Sequence, residues 1–525
     1  MAMEQQAHGE QKRLVESMLN PAVYDHPVTQ VDLIETHISW VFLAGEFVYK
    51  VKKPVDFGFL DFSTLALRQH FCAEELRLNR RLAPELYVDV VSIGGSADMP
   101  RLHAHPVLEY AVKMRRFPQA QQLDEMLSAG ALTTAHMERF AVVMDEFHGR
   151  TPIADARSDY GTPAQVFAPM EQNFEQISAN LPDPEMQQQL NQLEHWSRAM
   201  YAQLRTTLQE RKDAGFIREC HGDAHLGNMV WFNDAPVLFD CIEFNPALRW
   251  IDTMNEVAFL VMDLDYRGRQ DLGWSFLNRY LEYNGDYSGL QVLDFYKVYR
   301  ALVRAKVTCM RLAQTGLSLK ERRADIDLVR SYLELARRYT HPRRAQLIIT
   351  HGFSGSGKTS FIDELAPLLG AICVHSDHER KRLFGLSPEQ GSRSSVRGGI
   401  YSAAASRKTY ACLHDLAENL LNVGITTIVD ATFLKQQDRC LFSTLAQRHK
   451  LRLTLLDFCV PETELRRRIR LRQSQNSAVS EAGEEVLDEQ MLTAEELGDA
   501  EIKHCIRITS AVDAHQVAAA LNKTR

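Results

Sequence analysis

Between residues 37 and 53 the chain reads HISWVFLAGEFVYKVKK, two runs of alternating character that meet at Ala44-Gly45-Glu46. A period of two with a glycine at the junction predicts a β-hairpin. From Leu65 to Leu82 apolar residues instead recur at three- and four-residue steps and stop before Pro84, which predicts a helix. YVDVVSI at 87–93 and VLEYAVKM at 107–114 return to strand patterning, so this stretch predicts a small α+β lobe. Helical spacing then dominates from Leu123 to about 180 and from Glu185 to Lys212, broken near Pro163 and again before Pro184. Two short strands, NMVWF at 228–232 and PVLFD at 236–240, flank a turn at Asn233-Asp234-Ala235, and helical spacing resumes from Trp250 to Arg338.

The polar, basic segment ARRYTHPRR at 336–344 separates this region from a different pattern. Strand-like runs at 347–350, 371–375, 425–429 and 451–458 alternate with helical ones, which predicts a parallel α/β sheet. The expected division is a first module at 1–340, with an N-lobe at about 30–115 and a C-lobe at about 116–340, and a second at 345–525.

Composition narrows the function classes. With 525 residues, 45% hydrophobic and 24% charged, the chain is globular and too long for one core at roughly 100–200 residues per domain. A net charge of −8 disfavours broad binding to nucleic acid or anionic membrane. No apolar run approaches the ~20 residues of a membrane span, and the N-terminus lacks the apolar stretch of a secretory leader. Nine scattered cysteines without a CxxC pair predict a reduced, cytoplasmic protein. Nucleic acid is not favoured as a partner, no membrane partner is expected, and the oligomeric state stays open.

Behind the strand LIIT, Gly352-Phe353-Ser354-Gly355-Ser356-Gly357-Lys358-Thr359 fits G-x-x-x-x-G-K-[ST], with Ser360 following. Such a loop turns backbone N–H groups toward phosphate oxygens, its lysine reaches the β/γ-phosphates and its threonine hydroxyl ligates Mg²⁺, which predicts ATP and Mg²⁺ as cofactors. Asp377, at the end of the next strand, can accept a proton from an attacking hydroxyl or simply N-cap the helix after it; Arg380 lies three residues on. Asp430 ends the strand TTIVD, either as a Walker-B-like metal carboxylate or as a turn residue. In the basic run LRRRIRLR, Arg468 and Arg472 share a helix face, either as lid arginines or as a solvated surface.

SDHERKRLFG, GGIYSAAASRKTY, GITTIVDATFLKQQDR and LRRRIRLR, in this order behind the loop, resemble the small P-loop kinases that include polynucleotide-kinase-like and zeta-toxin-like proteins. The resemblance covers about 345–500. It implies Asp377 as base, Arg380 as a substrate contact and Arg468 or Arg472 as lid arginines.

In the first module, His221-Gly222-Asp223-Ala224-His225-Leu226-Gly227-Asn228 matches H-x-D-x-x-x-x-N, and the hairpin after it ends at Phe239-Asp240. Asp223 would orient the acceptor hydroxyl, while Asn228 and Asp240 would hold Mg²⁺. A zinc site at His221, Asp223 and His225 is the disfavoured alternative. Lys50 and Lys52 point to one strand face; Lys50 is the preferred phosphate lysine, with Glu75 as its partner, against the alternative of an exposed salt bridge. Asp252 is expected to brace the loop or cap a helix, and Glu256, Asp263 and Asp265 to attract a cationic acceptor or form a solvated face. These residues resemble the aminoglycoside-phosphotransferase-like branch of the kinase fold over about 30–335. That likeness implies a bilobal, protein-kinase-like α+β domain acting on small hydroxylated molecules, and Glu243 as a further metal or water ligand.

The fused arrangement resembles a bacterial family described as bifunctional aminoglycoside phosphotransferase/ATP-binding proteins. The function expected is an ATP-dependent phosphotransferase fusion. The alternatives are a nucleotide-sensing regulator with one non-catalytic module, or a nucleic-acid 5′-hydroxyl kinase acting through the second module.

Overall fold

A computed structural model describes residues 2–58, 60–181, 183–313, 317–387, 390, 398–474 and 483–523. By packing, these fall into two compact units: 1–132 with 146–169 and 205–260, and 133–145 with 170–204 and 261–525.

The first unit carries an antiparallel sheet of β1 (Val31–Glu35), β2 (Ser39–Ala44), β3 (Phe47–Lys52), β4 (Tyr87–Ser96), β5 (Met99–Leu102) and β6 (Val107–Arg115), in the order β1-β2-β3-β6-β4-β5. The predicted hairpin is β2–β3, with Val41 opposite Lys50 and Ala44 opposite Phe47. Its alternation sorts side chains to two faces: Tyr49 and Val51 join one apolar cluster, while Val48, Lys50 and Lys52 face the helix Leu65–Asn79. Thr64 caps that helix by accepting from Leu67 N–H at 3.2 Å. Three short pairs complete the unit's strands: β7 (Ile217–Glu219), β8 (Met229–Phe232), β9 (Ala235–Leu238) and β10 (Trp250–Asp252) form the antiparallel ladders β7–β10 and β8–β9, beside the isolated bridge Ile153–Arg218. The turn between β8 and β9 runs through Asn233 and Asp234, both at positive φ, the geometry that Asn and Asp tolerate in tight hairpins.

The second unit is built on a five-stranded, wholly parallel sheet: β11 (Leu347–His351), β12 (Ala371–His375), β13 (Thr426–Asp430), β14 (Leu453–Phe458) and β15 (Cys505–Ile508), in the order β12-β13-β11-β14-β15. Near-continuous apolar strands such as LIIT and AICV are the composition of a sheet covered on both faces. The helices Gln270–Asn284, Leu290–Leu312 and Leu319–Tyr339 belong to the same unit. No helix among the described residues is long and apolar enough to cross a membrane.

At the outer edge of the sheet, Asn278 does the work of a sixth strand. Its amide nitrogen donates to Ala371 O at 2.9 Å and its oxygen accepts from Cys373 N–H at 2.7 Å. Arg382 donates to Glu282 O at 2.6 Å at the C-terminal end of the same helix, where carbonyls lack helical partners. A side chain added at Gly285 would strike Arg382 Nε at 2.7 Å.

Candidate functional site

In the first unit, Lys50 Nζ lies 3.0 Å from Glu75 Oε1 and also pairs with Asp240. Lys52 Nζ lies 2.6 Å from the other Glu75 oxygen and pairs with Glu243. Glu75 is fully buried, and the two lysines outweigh the upward push of burial and hold its carboxyl well below the usual range. These are buried ion pairs, not an exposed salt bridge. The lysines differ in outlook: the Lys52 side chain is 1% exposed with its ammonium 4.8 Å from the centre of the Phe62 ring, whereas Lys50 is 13% exposed and meets Asp240, itself 43% exposed. Glu243 is buried against Lys52.

The loop at 221–228 is held from several sides. His221 Nε2 is 2.9 Å from Phe239 O, and Asn228 donates to Asp223 Oδ2 at 2.8 Å and to its carbonyl at 3.0 Å. Asp240 stands at a φ of 64°, a conformation costly for most residues, and its N–H donates to Tyr87 OH at 3.1 Å. Asn79 accepts from Cys241 N–H at 2.9 Å. The helix Leu65–Asn79 and β4 thereby aim the acid. Gly222 has a φ of 88°, and a Cβ there would lie 2.7 Å from Leu248 O. Its N–H donates to Glu256 Oε1 at 2.6 Å, and the other Glu256 oxygen is 2.8 Å from His148 Nε2.

Of the two roles expected for Asp252, the structure shows the helix cap, to Met254 N–H, together with an ion pair to Arg211 at 2.7 Å; the carboxylate on the backbone of the 221–228 loop is Glu256. A second expectation is corrected. Glu256, Asp263 and Asp265 are all buried, so they form neither a solvated face nor an open cation trap; Asp263 is 3.3 Å from Arg267 Nε and Asp265 2.6 Å from Lys297 Nζ. Helical periodicity marks the helix Thr253–Tyr266 but not which of its faces is covered, because both are.

In the second unit, the loop after β11 runs into the helix Lys358–Leu369. Lys358 Nζ donates to Gly352 O at 2.9 Å and Phe353 O at 2.8 Å, folding back over the loop. Burial lowers its pKa against the opposing pull of Asp430 and Asp377. Thr359 Oγ1 donates to Asp430 Oδ2 at 2.7 Å, Thr350 Oγ1 donates to Asp430 Oδ1 at 3.2 Å, and Ser360 is exposed in the first helical turn. Burial would raise the Asp430 pKa, but His375, Lys358 and Thr359 bring it below the usual range. A threonine hydroxyl and an ionised carboxylate in contact are a donor set that fits Mg²⁺.

The helix Glu462–Ser474 lies against this loop: Arg468 Nη1 donates to Ser356 O at 3.2 Å and its Nε to Glu464 at 2.7 Å. A Cβ on Gly355 would meet Leu465 O at 3.1 Å and Ile469 at 3.0 Å, so this approach requires glycine. Arg472 is half-buried, and Asp377 counters the lowering of its pKa by burial. Asp377 lies in the first turn of Ser376–Leu383, whose N-cap is His375, so Asp377 is not the cap. Arg380 is buried and donates to Ile400 O at 3.0 Å over the Tyr401 ring. One contact has no precursor in the motif reading: Gln490, from the helix Glu484–Thr493, accepts from Ser354 N–H and donates to Ser354 Oγ, both at 2.9 Å.

The chain is similar to several known proteins. The family model for an AAA domain matches residues 347–497. "Uncharacterized protein Rv2004c" of Mycobacterium tuberculosis (strain ATCC 25618 / H37Rv) is 32% identical over 424 residues, covering 80% of this chain and 82% of that protein. "Uncharacterized protein Mb2027c" of Mycobacterium bovis matches with the same figures. Among solved structures, an amicoumacin kinase in complex with AMP-PNP, Ca²⁺ and Ami aligns over 63% of this chain and 96% of its own, with 12% identity and a TM-score of 0.40. The APS kinase CysC of Mycobacterium tuberculosis, in complex with AMPPNP and APS, aligns over 35% of this chain and 98% of its own, with 18% identity and a TM-score of 0.25. The AAA family model thus falls on the wholly parallel sheet and its phosphate-binding-type loop at the C-terminal end of the chain.

Proposed function

The chain belongs to the family of these two mycobacterial proteins, matched over four-fifths of its length, and from that premise we propose that it is a fusion of two ATP-dependent phosphotransferase modules dividing near 340–345. In the first, Asp223 orients the hydroxyl of a small acceptor and takes its proton, Asn228 and Asp240 hold Mg²⁺, and Lys50, positioned by Glu75, engages the α/β-phosphates of ATP. In the second, the 352–359 loop with Ser360 grips ATP, Thr359 and Asp430 hold Mg²⁺, and Asp377 serves as base. Arg380 contacts the second acceptor, while Arg468 and Arg472 offset charge on the transferred group. Bound Mg²⁺ would neutralise the phosphate oxygens in each site. The protein's part is positioning and preorganised charge.

The observation that carries the reading is that Lys50, Glu75 and Asp240, from three separate stretches of chain, meet in one ion-pair group beside the Asp223–Asn228 loop. Lys50 is preferred to Lys52 because it faces the exposed side of that group.

The test is a cell-extract screen with γ-labelled ATP, comparing the native chain with Asp223→Ala and Lys358→Ala. Each substitution is expected to remove its own set of labelled products. Labelling unchanged by both would sink the proposal. ATP consumption that survives Asp223→Ala but stops in Lys358→Ala would confine turnover to the second module.

A further inference from the structure

Behind the P-loop, three side chains from three elements converge on one nitrogen. His375, at the end of β12, has its Nε2 3.0 Å from Glu282 Oε1 and 3.4 Å from Asp363 Oδ1. Glu282 belongs to the helix Gln270–Asn284 and Asp363 to the helix Lys358–Leu369. The three ligand atoms all lie within 4.8 Å of one another. An Nε2–H could give a straight hydrogen bond to only one of the two carboxylates; Glu282 also takes Arg279 Nη1 on its other oxygen at 2.9 Å, and the Asp363 side chain is half exposed. Ligand atoms about 2.0–2.2 Å from a Zn²⁺ ion, arranged tetrahedrally, stand about 3.3 Å apart, close to the separations seen here.

The opposite face of the ring supports the same conclusion. His375 Nδ1 is 3.0 Å from Asp430 Oδ2. A carboxylate accepting from Nδ1–H fixes the tautomer that leaves the Nε2 lone pair free, the outer-shell arrangement of metal-bound histidines. Next to this group, outside it, stands a second imidazole. The His378 ring is 5.4 Å from that of His375, is 6% exposed, and its Nδ1 has no hydrogen-bond partner among the described residues.

We propose that Glu282, Asp363 and His375 form a binding site for a borderline divalent metal ion of the Zn²⁺ class, separate from any Mg²⁺ held with nucleotide. One imidazole, two carboxylates and an open position suit such an ion. The ion would tie the helix Gln270–Asn284 to the P-loop helix and to β12. Asp430 would be the shared neighbour, supporting His375 on one side and meeting Thr359 on the other. The site stands whether or not either module transfers phosphate.

The full-length protein, freed of metal by chelator and desalted, is titrated with Zn²⁺ and, for its visible absorption, with Co²⁺. About one equivalent is expected to remain after gel filtration. Glu282→Gln and Asp363→Asn, which keep shape and remove charge, are expected to weaken retention at least about a hundredfold and to abolish the Co²⁺ bands. Lys358→Ala, which cripples the nucleotide loop, is expected to retain metal as the native chain does. No stoichiometric metal in the native chain, equal retention in the two carboxylate variants, or loss of metal with Lys358→Ala would each overturn the proposal. Because Asp363 is an exposed residue of a helix surface, its variant keeps the test readable should Glu282→Gln fail to fold.

Discussion

Lys50 and Lys52 share Glu75, yet removing one or the other should have different consequences. Lys52 sits between two buried carboxylates, so Lys52→Ala strands Glu243, leaves Glu75 with Lys50 alone, and is expected to cost about 3–5 kcal/mol in urea unfolding. Lys50→Ala is expected to lower turnover by the first module on the order of a hundredfold or more, with the smaller stability loss. The reverse ranking would exchange their roles. Gly222→Ala should cost about 1–3 kcal/mol by denaturant unfolding, through its positive φ and the clash with Leu248 O. Glu256 supplies a pH signature. Burial would raise its pKa, but His148, His221 and the Gly222 N–H bring it below the ordinary 4.5. A depressed carboxylate contributes stability that is complete above its unfolded value and lost as the pH falls through the folded one. The stability advantage of the native chain over Glu256→Gln should therefore narrow only below about pH 4.5. A constant gap from pH 7 to 3 would refute this.

At the scale of elements, local patterns were legible and remote contacts were not. The hairpin β2–β3, the helix Leu65–Asn79 and the loop before Lys358 announce themselves because each is specified within a few residues. β1, β5 and β15 escaped notice: VDLIE is mostly exposed, MPRL is four residues long with a proline, and CIRI follows a polar stretch. Gln490 had no signal at all, and Glu256 stood out only as an acid, because neither belongs to a motif and each acts on a loop residue 136 or 34 positions away. Asn278 is the sharpest such case, a single amide standing in for a strand. Asn278→Ala leaves Ala371 O and Cys373 N–H without their partners and should cost about 1–3 kcal/mol by calorimetry or urea titration. A neutral result would mean that solvent satisfies this edge.

Across the whole molecule, the linear pattern and the packing divide the chain differently. Proline and basic residues at 336–344 punctuate the sequence, whereas the helices between 261 and 339 pack in one unit with the parallel sheet. A change of hydrophobic period marks where one pattern stops; it carries no information on which covered face meets which. A fragment spanning 345–525 would expose the Asn278-bonded edge of β12, the Trp274 contact at Gly370 and the Arg382 side chain. It should melt at least several degrees below a fragment spanning 261–525, with more aggregation on heating. Equal melting temperatures would show that the edge is indifferent to its cover.

The Asn278 clasp also constrains how such a chain can be recombined. A chimera joined in the punctuated segment near 340 would pair one relative's β12 with another relative's helix, and two backbone hydrogen bonds would depend on a residue inherited from the other parent. A crossover before residue 261 carries helix and strand together. Descent in this family should therefore favour an amide kept at 278 and substitutions at 274 that travel with those at 370, so that the part of the chain that looks easiest to cut is among the harder places to exchange.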